Sequence, residues 1–296
     1  VAAEARPAGS GTLSTRMASL QSQALLLRSV DFGESDRIIH LLTPGVGRLT
    51  AIAKGARRSK KRFPGTLDLF NLLQVQVERR RPTRMARLEH ARLRRSWGAL
   101  REDPTRFALG CYLLEVLGRL APEGGAPADM ARLFAFAVAA LDLVEREAPD
   151  ARLRTLLELR TLAALGLRPE LLHCVRCGRP ATRKAGRGTL AFHVAEGGPI
   201  CRDCAPQGHA MLAVHPGTLH ALDQSLRFGF DRLGRIALGG ASLAEAQQLV
   251  HRFLRFHIGL ELRSERFLED RLTPGGPKGR MRDFAHRAPM DPRNPS

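Results

Sequence analysis

Between residues 23 and 93 the apolar positions fall in short alternating or continuous runs. The stretches 24–30, 37–43, 48–53, 69–77 and 85–93 read as strands, separated by turn-like segments at 31–36, 44–47, 54–65 and 79–83. Five strands in about seventy residues with no helix between them predict a small closed sheet. A five-stranded OB-type barrel leads, with an SH3-like barrel or an open meander sharing the same strand count. Past residue 102 the period changes to three to four. Asp103 is placed as a helix N-cap with Pro104 at the first helical position, and Phe107, Cys111, Leu114, Leu117 and Leu120 follow on one stripe. Pro127 opens a second helix with Leu133, Phe136, Ala140 and Leu143 inward. Asp150 opens a third, which Gly166 closes. Later helices are expected over 216–228 and 242–259, with Ser242 and Glu245 as the capping box of the second.

The expected fold is therefore a multidomain α+β chain. An OB-fold barrel spans 20–98, and a helical domain spans 99–272 with a cysteine module inserted at 173–206. Residues 1–19 and the Pro-, Gly- and Arg-rich segment 273–296 are expected to be disordered, with Met17 a candidate start.

Charge then localises the function. The chain carries 47 Lys+Arg against 29 Asp+Glu, a net +18. Residues 20–100 alone hold 17 basic and 6 acidic side chains, a net +11, whereas 101–272 hold 23 and 20. An excess concentrated in the first folded segment points to a polyanion there. No apolar run reaches the ~18 residues of a membrane span, so no membrane role is expected and the cytoplasm is the expected site.

Lys54, Arg57, Arg58, Lys60, Lys61 and Arg62 crowd a predicted hairpin tip, and Arg79, Arg80, Arg81, Arg84 and Arg87 lie on the next turn. Arg92, Arg94 and Arg95 leave the last strand. Basic groups bunched at loops can converge on a phosphate backbone and release counterions. Solvated charged loops are the bland alternative. Exposed rings usually stack bases in single-strand binders. This segment has Phe32, Phe63 and Phe70 only, with Phe63 placed to stack beside Arg62 and Phe70 in the core. Binding is accordingly expected to be dominated by phosphates and indifferent to strandedness.

Cys174, Cys177, Cys201 and Cys204 form two Cys-x-x-Cys pairs twenty-three residues apart. Each pair lets one turn aim two sulfurs at a metal, and two pairs complete a tetrahedral zinc site. The piece between them reads as a β-hairpin with a Gly-rich tip at 184–188. Two disulfides or a redox pair are the alternatives, and neither an extracellular context nor a βαβ pattern favours them. Four thiolates close the shell, so the zinc is expected to be structural. Arg176, Arg179 and Arg202 suit its negative charge, and His173, His193 and His209 are expected bystanders. Walker A, His-Glu-x-x-His and Gly-x-Ser-x-Gly signatures are all missing, and Cys111 lies in an apolar stripe, so the expectation is a binding protein rather than an enzyme.

With these residues in place the chain resembles the bacterial RecO family of recombination mediators. The resemblance rests on Gly33-Glu-Ser-Asp-Arg37, Thr43 with Gly47, Lys54-Gly-Ala-Arg-Arg58, Leu67-Asp-Leu-Phe70, the four cysteines in a helical domain, and Ser264-Glu-Arg-Phe-Leu268. It covers about residues 20–272. Lys60-Lys-Arg62 departs from it, since a small residue such as Ser is expected in the middle. The resemblance implies binding of single- and double-stranded DNA, with Lys54 to Arg62 in contact, and annealing of complementary strands. It also implies joint action with RecR in loading RecA onto DNA coated by single-strand-binding protein, through that protein's acidic C-terminal tail. Nucleoid association follows from these. An RNA- or ribosome-associated OB-fold zinc protein is the competing reading.

Overall fold

The structure is a computed structural model that describes residues 18–59, 61–79, 85–181, 188–205, 211–259 and 262–272. Five strands, β1 (Ala18–Phe32), β2 (Asp36–Thr43), β3 (Gly47–Ala53), β4 (Asn71–Arg79) and β5 (Ala86–Ser96), close into a barrel in the order β1-β2-β3-β5-β4. All neighbours are antiparallel except β3 and β5, which run parallel at Ala51↔Ala86 and Ile52↔Arg87. Long β1 serves both edges: its first half pairs with β4 and its second with β2. This connectivity is that of the OB fold. Alternate residues fill the interior, among them Ile39, Leu41, Ala51, Val75 and Leu88.

The parallel pair corrects one expectation. Residues 54–65 are not a hairpin tip, because β3 and β4 are not neighbours. The segment is a crossover from β3 over to β4. Phe63, expected to stack on a base, is buried with Ala56 and Leu67 in the barrel core, and the Arg62 guanidinium lies over its ring at 5.3 Å. Phe70 is fully buried, as its pattern indicated.

A short helix α1 (Ala99–Glu102) leads into α2 (Pro104–Leu120), α3 (Pro127–Arg146) and α4 (Ala151–Ala164). Both aspartate caps form: Asp103 accepts from the Arg106 N–H at 2.7 Å and Asp150 from the Leu153 N–H at 2.6 Å. The strands β6 (Leu190–His193), β7 (Gly198–Ile200) and β8 (Leu212–Val214) then make a small sheet in the order β7-β6-β8. The expected hairpin is thus shifted. Its strand at 189–194 is the first arm of β6–β7, with the turn at 194–197, and the Gly-rich piece lies mostly outside the described residues.

Helices α5 (Pro216–Arg227), α6 (Gly240–Ile258) and α7 (Arg263–Leu272) complete the domain. The capping box expected from Ser242 and Glu245 is also corrected. Helix α6 starts earlier, with Gly239 as N-cap, and the Ser242 hydroxyl accepts from the Gly239 N–H at 3.2 Å. Glu245 instead accepts from the His215 N–H (3.0 Å), one of the orphan backbone donors at the start of α5, and from the Thr218 hydroxyl (2.7 Å).

Barrel and helices share one core. Leu25, Leu42, Phe70 and Trp97 at the barrel end are continuous with the buried faces of α2, α3 and α4. Gly110 of α2 makes this possible, since a Cβ there would stand 2.7 Å from the Phe70 ring. Phe70 holds a left-handed backbone (φ 62°), and its carbonyl accepts from the Trp97 N–H at 3.0 Å. The Trp97 indole donates to Asp142 at 2.6 Å, and Arg95 pairs with the same carboxylate at 2.7 Å. Among the described residues no helix is long and apolar enough to cross a membrane.

Candidate nucleic-acid interface and metal centre

The turn between β1 and β2 is what shapes the first basic segment. Asp36 accepts from the Gly55 N–H at 2.7 Å and from the Ser35 hydroxyl at 3.2 Å. The Arg57 N–H donates to the Ser35 carbonyl (3.0 Å), and its guanidinium reaches the Glu34 carbonyl (3.2 Å) and Asp31 (3.5 Å). Arg62 folds back to donate to the Lys54 carbonyl at 2.6 Å. Gly33–Arg37 and Lys54–Arg58, distant in sequence, are therefore one unit. The Gly55 hydrogen bond, with lesser help from Ser35, Lys54 and Arg87, holds the Asp36 carboxyl below its ordinary range.

This scaffold divides the basic residues by role. Arg57 and Arg62 are tied into the loop. Lys54, Arg58 and Lys61 are exposed and, among the described residues, pair with no carboxylate. Their charge is offered to solvent. Arg79 is exposed at the end of β4. Lys60, Arg80, Arg81 and Arg84 lie outside the described residues. Arg87 is brought beside Ile52, at the exit of β3, by the parallel register. Arg92 and Arg94 are exposed on β5, whereas Arg95 is spent on Asp142 and Glu145 between the domains. Sequence reasoning missed Asp36 as the organiser of the loop; Asp31 and Glu34 beside it are acidic too, so no local signal singles it out.

The second site is built from two turns that face each other. The Gly178 N–H donates to the Cys174 carbonyl at 2.8 Å, the Cys204 N–H donates to the Cys201 carbonyl at 3.0 Å, and Val175 N–H to Pro199 O (3.1 Å) ties the turns together. Gly198 is required there, because a Cβ would lie 2.5 Å from the Val175 side chain. The ligand atoms of Cys174, Cys177, Cys201 and Cys204 all lie within 4.8 Å of one another, and Cys177 and Cys201 sulfurs are 3.7 Å apart. A tetrahedron with metal–sulfur bonds of about 2.3 Å has edges of about 3.8 Å, so the four thiols can hold one metal ion.

Their ionisation points the same way. The Arg179 guanidinium, then the Arg179 N–H, holds the Cys177 thiol down at about 6. Hydrogen bonds with Cys201 and Cys177 push Cys204 up to about 12. Sulfurs this crowded do not all ionise by themselves, and a divalent cation removes that conflict. Arg176 grips Glu196 with two bonds (2.9 and 2.7 Å) and donates to the Cys204 carbonyl at 2.8 Å. His173 bonds Glu170, and His193 accepts from the Glu196 N–H, so neither joins the sulfurs. The module docks on α6 through Phe192, which is fully buried, against Phe253.

A barrel of this topology, basic at its strand ends and fused to a helical domain with a four-thiol centre, defines a two-domain OB-fold protein with a four-cysteine module able to hold a metal ion. Residues 17–97 match the family described as Recombination protein O N terminal, and residues 101–266 match Recombination protein O C terminal. The chain belongs to the RecO family. It is 37% identical to the DNA repair protein RecO of Anaeromyxobacter sp. (strain K), over 83% of this chain and 94% of that protein. Identity to the DNA repair protein RecO of Myxococcus xanthus (strain DK1622) is 33%, over 85% of this chain and 98% of the relative. To that of Pelobacter propionicus it is 32%, over 83% and 94%.

Proposed function

We propose that this chain is a DNA-binding recombination mediator in DNA repair. It binds single- and double-stranded DNA, anneals complementary strands and, with RecR, helps load RecA onto DNA coated by single-strand-binding protein, whose acidic tail it contacts. The carrying observation is the Lys54–Arg62 segment. Its backbone is fixed by Asp36 and Arg57, while Lys54, Arg58 and Lys61 are exposed and pair with no carboxylate among the described residues. Preorganised cations lose little entropy on meeting phosphates, and each phosphate they neutralise releases condensed counterions. Neutralisation also lowers the repulsion between two strands, which is what annealing without nucleotide hydrolysis needs. By sequence, Arg79, Arg80, Arg81 and Arg84, with Lys60, add positive charge to the same domain and are assigned to the same role.

The metal is zinc, held by Cys174, Cys177, Cys201 and Cys204, and it shapes the module rather than performing chemistry; the protein is not an enzyme. Membership of the RecO family favours DNA over the RNA- or ribosome-associated reading. The cytoplasm, in association with the nucleoid, is the place this activity requires. The test is an annealing assay on complementary strands, with and without single-strand-binding protein and with no ATP. Acceleration in both conditions supports the proposal. No acceleration in either, at low salt, contradicts it.

A further inference from the structure

The outer surface of β1, β2 and β3 carries residues that phosphate contacts alone do not use. In a ladder, directly paired residues project to the same face. The registers Val30↔Ile38, Ile38↔Ile52 and Ile52↔Arg87 therefore run one row across four strands. The adjacent positions Ile39, Ala51 and Ala53 are buried inside the barrel, so this row faces outward. Its three apolar members are only partly buried. The row below it, Arg28↔His40 and His40↔Thr50, is polar and basic, with His40 and Thr50 joined at 3.1 Å. Above it stand Phe32 and its partner Asp36.

Phe32 is the informative residue. The residue is 51% exposed, and its cross-strand partner Asp36 is the carboxylate that holds Gly55, the chain neighbour of Lys54. Phe63 and Phe70 are in the core, which leaves Phe32 as the one exposed ring among the described barrel phenylalanines. An exposed phenylalanine at the end of a half-open apolar row, bordered by Arg28 and Lys54 while Arg87 is paired with Glu89 at 2.7 Å, suits a ligand with flat apolar faces on an anionic chain. Paired bases in a duplex present no such faces; unpaired bases do.

We propose that the outer β1–β3 face binds the bases of a single DNA strand, with Phe32 stacking on one base while Lys54 and its neighbours hold the phosphates. The proposal rests on the DNA-binding reading above and adds strand discrimination to it. Phe32 is a binding residue that distinguishes single strands from duplex, and the basic segment serves both.

The test is equilibrium binding of the full chain to oligothymidylate and to duplex of equal length at matched salt, for the native protein and Phe32→Ala. Stacking on one ring sets the expected loss at about five- to a hundredfold for the single strand, with duplex affinity unchanged. In the Phe32→Trp variant, oligothymidylate is expected to quench the added indole and duplex to leave it bright; Trp97 is fully buried and serves as a constant background. Equal losses on both ligands, or no loss on either, overturn the inference while leaving DNA binding intact. A native chain that binds neither ligand overturns the functional proposal itself, and the inference with it.

Discussion

The Asp36 carboxylate accepts the backbone N–H of Gly55 at 2.7 Å, joining two segments nineteen residues apart. An acidic residue so placed acts in favour of anion binding, because it fixes the loop whose cations face outward. Replacing Asp36 by Ala is expected to leave the barrel folded and to weaken DNA binding, with faster hydrogen exchange at Gly55. Its carboxyl is held below the ordinary value of 3.8, so its contribution is full above that value and is lost as pH falls through the lowered one. Exchange measured by NMR against pH checks both statements.

The start of helix α7 is held by Glu115 of α2. That carboxylate accepts from the Arg263 N–H (3.1 Å), the Ser264 N–H (2.9 Å) and the Ser264 hydroxyl (2.6 Å), acting as a cap supplied from another helix. Glu115→Ala leaves these donors unsatisfied and is expected to cost about 1–3 kcal/mol. Glu115→Gln should recover part of that. Denaturant unfolding of the three proteins checks the order.

A second contact on α7 is pH-dependent. His251 of α6 lies 3.1 Å from Glu265, within a group that includes Arg154 and Glu158. The hydrogen bond to Glu265 raises the His251 pKa above 6.5, and the same bond lowers that of Glu265 below 4.5. The His251 contribution is present below 6.5 and is lost as pH rises through its raised value. The Glu265 contribution is present above 4.5 and is lost as pH falls through its lowered value. Thermal unfolding across pH 5 to 8 is expected to show a decline in stability at the upper end that His251→Gln abolishes.

Removing the proposed metal should separate the two sites. The Cys174 side chain is buried and Phe192 packs on α6, so chelation or Cys174→Ser is expected to unfold the module and lower the melting temperature. DNA affinity of the barrel should persist below the new transition. Fluorescence melting and DNA binding on the same samples check this.

Local pattern made the strands, the two aspartate caps and the cysteine pairs legible, because each is set by residues within one turn or one strand. What escaped depended on partners distant in sequence. The crossover at 54–65 looked like a hairpin because nothing local announces that β3 pairs with β5. Phe63 looked exposed because its neighbours are basic, yet its ring closes the barrel. Arg95 belonged to the basic surface by sequence and to the domain junction by its ion pair with Asp142. Glu245 fitted a cap for its own helix and serves α5 instead.

The central claim is that an organised set of exposed cations on the barrel binds the DNA backbone. It is tested most directly by the salt dependence of DNA affinity for the native chain and for a variant with Lys54→Glu, Arg58→Glu and Lys61→Glu. These three side chains are exposed and pair with no carboxylate among the described residues, so the fold does not depend on them. The account predicts unchanged melting, a large affinity loss on single strands and duplex alike, and a shallower salt slope. For single strands the slope should fall by about 0.7 for each phosphate that the variant no longer neutralises. Native affinity with a native salt slope in the folded variant would contradict it.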